Sequence, residues 1–257
     1  MQVNAVKLLI GTLHPCLAWQ KQPQLVEAPR EITIEVTSRP EQRNKAMSKS
    51  NEVYELVINR LIHAHYGFGD RLLVRELGAE TGASRQPIMS ALNRLSAEGF
   101  VHIIPQVGCE VIHPSRDEIA DFFSLFQMLE GLLSELAASR RTEEDLMELR
   151  MAQQRMIVME QSSDNAPQLY LKLNQAFHRQ LHQMAASPLL ARKQGNNFNM
   201  IDFFISQSIG FGALMTHGIR EHEPIIDAVA RQDRAAARKE SEAHISAIAG
   251  AVLERLD

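Results

Sequence analysis

The stretch GASRQPIMSALNRLSAEGF, Gly82 to Phe100, decides how this chain is read. Ser84 is a good N-cap for a helix running to about Glu98, and Gly99 is placed as its C-terminal stop. The only charges on that helix before Glu98 are Arg85 and Arg94, in a chain whose formal net charge is −4. No general attraction to polyanions is on offer, so any contact with a phosphate backbone depends on where these few cations stand.

Working outward, NEVYELVINRLIHAH repeats apolar residues at helical spacing, and YGFGD ends that helix with two glycines. A second short helix spans about Val74 to Glu80 and stops at Thr81-Gly82. Phe100–Ile104 and Cys109–His113 read as two short strands around the turn Pro105-Gln106-Val107-Gly108. Three helices, a tight turn before the third and a β-wing make a winged helix-turn-helix over residues 49–114, a fold that lays its third helix in the major groove of DNA. Arg85, beside Ser84 and Gln86 at that helix's first turn, suits phosphate or base-edge contact. Arg94 lies further along, and Arg75 on the second helix is placed to hold the flanking backbone.

Residues 115–257 carry no further strand pattern. Ile119, Phe122, Phe123, Phe126, Leu129, Leu133 and Leu136 mark an amphipathic helix, and Thr142 to Asp145 opens another with a capping-box pattern. Further helices are expected over about Pro167–Ala185, from Ser187-Pro188 with a break at Gly195-Asn196-Asn197, over His222–Arg231, and over Asp233–Leu256. The fold class is mainly α, a winged helix-turn-helix followed by an all-α bundle of six or seven helices.

Histidines carry the chemistry of the bundle. Asn174 and His178 are four apart, on one helix face. His222 stands about ten residues before the turn Gln232-Asp233 and His244 about eleven after it, which sets them at equal height across a helical hairpin. Three imidazoles and an amide oxygen can then converge on a divalent ion, with zinc, nickel, iron or manganese all plausible. His182 is a surface residue or a partner behind the site, and His217, before a glycine, reads as a solvated loop residue.

RELGAETGASRQPIMSALNRLSAEGFV resembles the helix-turn-helix of the GntR family of bacterial transcription regulators. NQAFHRQLHQMAASPLL and EHEPIIDAVARQDRAAARKESEAHI resemble the FCD effector domain of its FadR-like branch. Position by position, the resemblance puts Arg75, Ser84, Arg85 and Gln86 on DNA contacts and Gly108 on the wing glycine. It puts Asn174, His178, His222 and His244 on the Asp and three His that bind metal in many FCD domains. It also implies a homodimer on a palindromic operator, controlled by a small-molecule effector and acting most often as a repressor. Departures are Met89 for a second arginine, Leu73 for a serine N-cap, and Gln106-Val107 for a basic wing tip. Asn174 replaces the aspartate, and Phe126 replaces an arginine that pairs with carboxylate effectors. Phe122, Phe123 and Phe126 either shape an apolar effector pocket or form ordinary core.

Two other functions are compatible with parts of this pattern. A metal-dependent hydrolase would use the same histidines, but HExxH is absent and Glu221, Glu223 and Glu242 have no defensible placement as proton-transfer groups. A dimerisation module that has lost DNA binding is the second. Cys16 and Cys109 show no metal or redox spacing, which points to reduced thiols in the cytoplasm. No apolar run is long enough to span a membrane, and the opening segment lacks a convincing cleavage signal. Residues 1–48 look like a disordered tail, with Met47 a natural start of translation.

Overall fold

The computed structural model describes residues 48–104, 108–162 and 167–256. The expected tail, the start at Met47, Cys16, and the turn residues Pro105, Gln106 and Val107 lie outside them. Helix α1 (Lys49–Ile62) begins at Ser48, whose hydroxyl accepts from the Asn51 amide, and buries Val53, Val57 and Leu61. Helix α2 (Val74–Thr81) ends at Gly82, where φ is +65° and a side chain would be strained. Helix α3 (Arg85–Ala97) packs Ile88, Ala91, Leu92 and Leu95 into the same core. Ser84 holds the N-cap position without a capping bond from its hydroxyl.

Strands β2 (Val101–Ile104) and β3 (Gly108–Val111) form the expected wing hairpin, Val101 facing Val111. A third strand was not expected. β1 (Arg71–Leu72) pairs antiparallel with β3, Arg71 opposite Glu110 and Leu72 opposite Cys109, giving the order β1-β3-β2.

Six helices follow. α4 (Arg116–Arg140) and α5 (Glu143–Gln161) both open with reciprocal capping boxes, Ser115 with Glu118 and Thr142 with Asp145. α6 (Pro167–Met184), α7 (Pro188–Gln207), α8 (Phe211–Ala230) and α9 (Arg234–Leu253) complete the bundle. α7 runs unbroken through Gly195, Asn196 and Asn197, contrary to the expected break. A glycine inside a helix costs about 1 kcal/mol. Burial of Phe198, Ile201, Phe203, Phe204 and Ile205 on the same helix outweighs that. α8 starts well before His222, so His217 lies on a helix; it is nevertheless exposed and pairs with Glu221 at 2.9 Å.

The first of two hydrophobic cores is continuous from α1–α3 and the wing into α4, α7 and α9. Phe203 of α7 meets Phe68 edge-on at 5.2 Å and Phe100 at 6.1 Å. The second core fills the space among α5, α6 and α8 with Leu149, Met156, Phe177, Leu181, Ile225 and Val229. It is against this second core that the histidines stand.

Candidate functional site

The outward side of α3 exposes Arg85, Gln86, Ser90 and Asn93, while its opposite side is buried. Arg85, and Arg75 on α2, are exposed and make no ion pair among the described residues. Gly108 is exposed at the start of β3 with φ +143°. Arg94 is also exposed, but it is already engaged within the fold. Its Nε donates to Glu98 at 2.9 Å and its guanidinium lies 3.4 Å above the centre of the Tyr54 ring, while the Tyr54 hydroxyl donates to Glu98 at 2.6 Å. This closed triad ties α3 to α1. Ser90 and Asn93, four and seven residues after Gln86, share its exposed face.

In the bundle, His178 on α6, His222 on α8 and His244 on α9 are all buried, and one ring nitrogen of each lies within 4.8 Å of the others. Their tautomers follow from their partners. His178 Nδ1 faces Glu130 Oε1 at 2.8 Å, His244 Nδ1 faces Glu221 Oε2 at 2.9 Å, and His222 Nδ1 faces Gln153 Oε1 at 3.2 Å. Gln153 spends its Nε2 protons on the Ile219 carbonyl and Glu223, which leaves its oxygen toward the ring. All three partners accept, so each Nδ1 carries the proton and each Nε2 keeps its lone pair. Among the described residues, the buried side-chain N and O atoms left without a partner are Asn174 Oδ1, His222 Nε2 and His244 Nε2. Buried polar atoms are almost always paired, so two orphaned imidazole nitrogens in the cluster, with a third orphan at Asn174 one helical turn before His178, fit a cation that such donors could share.

Electrostatics points the same way. Burial pushes the His222 imidazole well below its ordinary range, with His244 and His178 adding to the effect. Burial also lowers His178, outweighing the Glu130 carboxylate that favours its charged form. Neutral imidazole is the form that ligates. Glu130 is fully buried; desolvation works against its charge, but His182 and His178 outweigh it and hold the carboxyl below the usual range. Its hydrogen-bond partners are His178, His182 and Gln194, with no lysine or arginine among them. A buried anion without a permanent counter-charge suits a site built for a cation.

His182 is buried and bonds Glu130 at 2.9 Å, so it is not a surface residue and reaches His178 only through that carboxylate. Glu130 and Gln153 were missed, and Glu221, named only as a proton-transfer candidate, is instead the partner of His244. Phe126 is fully buried, edge-on to Phe198 at 5.0 Å, and Phe122 packs against Phe204 at 5.8 Å. Phe126 is core and Phe122 packs half-buried against it, which favours the core alternative over pocket walls. A cavity of about 50 Å³ lies instead among α6, α7, α8 and α9, with Tyr170, Asn174 and Glu221 on its polar side and Ile205, Leu214 and Ile248 on its apolar side.

Comparison with known proteins bears on both regions. Residues 49–111 match the model for bacterial regulatory proteins of the gntR family, and residues 121–247 match the FCD domain. The HTH-type transcriptional repressor RspR of Escherichia coli K12 is 24% identical over 213 residues, covering 82% of this chain and 92% of that protein. The Nta operon transcriptional regulator of Aminobacter aminovorans is 30% identical over 117 residues, 46% of this chain and 54% of that one. Among solved structures, E. coli McbR/YncC superposes with a TM-score of 0.68 at 17% identity, over 81% of this chain and 99% of that one. A GntR regulator from Rhodococcus sp. RHA1 gives 0.65 at 15% identity, with 81% and 99% covered. Among the described residues no helix is long and apolar enough to cross a membrane.

Proposed function

The chain belongs to the gntR family of bacterial transcription regulators and carries an FCD domain, and from that we propose that it is an effector-controlled repressor holding a divalent metal in its bundle. Arg85, Gln86 and Ser84 at the tip of α3 meet DNA, Arg75 holds the adjoining backbone, and Gly108 lets the wing approach. Two copies read the two halves of a palindrome, which gives one short helix enough specificity. Exposed Met147, Met151 and Val158 on α5, with Leu125 and Met128 on α4, support association with a second copy.

The observation that carries the metal reading is the trio of orphaned atoms at Asn174, His222 and His244. A donor set of neutral imidazoles and an amide favours zinc, nickel or iron over magnesium and calcium, which prefer oxygen-rich charged cages. When bound, such an ion supplies a Lewis-acidic point on which an effector's oxygen can rest. The adjoining cavity is the place for the effector's apolar part. Phe126 offers no charge to a carboxylate, so the metal is the anchor for any anionic group.

A hydrolase is disfavoured by what surrounds the histidines. Glu221 is engaged by His244 and His217, Glu223 by Gln153, and Glu242 by Arg238, so each candidate proton-transfer group is already committed. The test is to select DNA fragments bound by tag-free, chelator-free protein and measure affinity with and without zinc. Sequence-selective binding that salt weakens supports the reading; indifference to all duplex DNA in dilute buffer removes it.

A further inference from the structure

α7 spans the distance between the histidine cluster and the DNA-binding domain. Near its start Gln194, fully buried, donates to Glu130 Oε2 at 2.8 Å and to the Phe126 carbonyl at 3.2 Å. Phe198, one turn on, lies 4.9 Å from the His178 ring and 5.6 Å from His182. At the far end Ser206 donates to the Leu61 carbonyl and Gln207 to the Tyr66 carbonyl, both at 3.1 Å. These carbonyls belong to the last turn of α1 and the loop after it. The fourteen residues from Gln194 to Gln207 rise about 20 Å along one unbroken helix.

Glu130 is shared between the two sides. Its Oε1 holds His178, and its Oε2 holds His182 and Gln194. We propose that Glu130 and Gln194 form a joint through which occupancy of the histidine cluster is passed along α7 to the base of the DNA-binding domain. This rests on the reading that the three histidines hold a divalent cation. When His178 Nε2 gives up its lone pair, its Nδ1–H becomes a stronger donor and draws the Glu130 carboxylate toward itself. Oε2 then holds Gln194 less tightly, and a buried amide that loses its acceptor must move to find another. A continuous helix packed on aromatic rings carries that movement to Leu61 and Tyr66 rather than absorbing it in a hinge. The two arrangements need only differ in their affinity for the ion for the coupling to run both ways.

The experiment uses the full chain, Co(II) as probe with its visible absorption as readout, and a duplex selected by the protein from genomic DNA. In the wild type, saturating Co(II) shifts DNA affinity by about fivefold or more. In Gln194→Met, which keeps volume but loses the donor, Co(II) binds within about threefold of wild type with the same spectrum, and its effect on DNA binding falls below about twofold. The double variant Ser206→Ala, Gln207→Ala cuts the other end of α7 and gives the same uncoupling; it decides the matter if Gln194→Met does not fold. A folded variant of either kind that keeps the wild-type shift overturns the joint and leaves the metal reading standing. So does a wild type that binds Co(II) without any change in DNA affinity, or a Gln194→Met that loses Co(II) itself. A wild type that takes up no Co(II) overturns both.

Discussion

Asp202 gives a stability prediction whose pH dependence is its signature. It lies on α7, is 2% exposed, and its Oδ2 accepts from Gln175 Nε2 at 2.6 Å. Burial pushes its carboxyl up to about 7, against the opposing effects of the Gln175 bond and Arg179. In the unfolded chain an aspartate titrates near 3.9, so the shift is about 3 units, or about 4 kcal/mol. Because the folded value is the raised one, the native state keeps a proton that the unfolded state has lost between these two values. Stability is therefore lost as pH rises through the window, and the full penalty is reached above about pH 7. Asp202→Asn keeps the shape and the acceptor for Gln175 but cannot ionise. Relative to wild type it should gain about 4 kcal/mol at about pH 8 and less than half of that at about pH 5. Urea unfolding of both proteins at the two pH values measures the difference. Equal gains at both, or a variant less stable than wild type at the higher pH, would refute the assignment of a buried, reluctant acid to this position.

Other predictions concern the two sites. Arg85→Ala should abolish discrimination between operator and random duplex, whereas Arg75→Ala should weaken both alike and flatten the slope of log affinity against log salt by about 0.9 in fluorescence anisotropy. Asn174→Asp should tighten zinc binding at least about tenfold, by competition against a chromophoric chelator, because it adds a charge to an otherwise neutral donor set. Zinc uptake should release fewer protons than three ordinary histidines would, about 1.5 at about pH 6.5, since burial already holds His178 and His222 neutral; calorimetry in two buffers reads the number. Without metal, the same depressed values mean that acid favours the unfolded chain below about pH 6.5, and zinc should move the onset of unfolding to lower pH.

Much of this architecture was legible because it is written locally. The cap at Thr142 and the stop at Gly99 mark helix ends within a few residues of sequence. The facing of His222 and His244 followed from counting along a hairpin, and His178 was added to them by the family resemblance. What escaped was non-local. β1 is two residues long and exists because Cys109 and Glu110 of β3 offer it an edge. The continuity of α7 through Gly195 is decided by the aromatic rings that follow it, which override local propensity. Glu130 did leave a trace. It stands four residues after Phe126 and three before Leu133, a carboxylate inside an apolar stripe. Gln153, between Leu149 and Met156, is the same kind of sign: polar residues at buried helical positions mark groups with a task.

The aromatic seam of Phe68, Phe100, Phe203 and Phe204 bears on anyone wishing to build chimeric sensors from this chain. Severing the polypeptide after the wing would strip two of these rings of their neighbours and leave a greasy scar on each fragment. A graft that swaps the reader onto a foreign receptor must bring the end of the seventh helix with it. Heating the intact chain should accordingly melt reader and receptor in a single calorimetric peak.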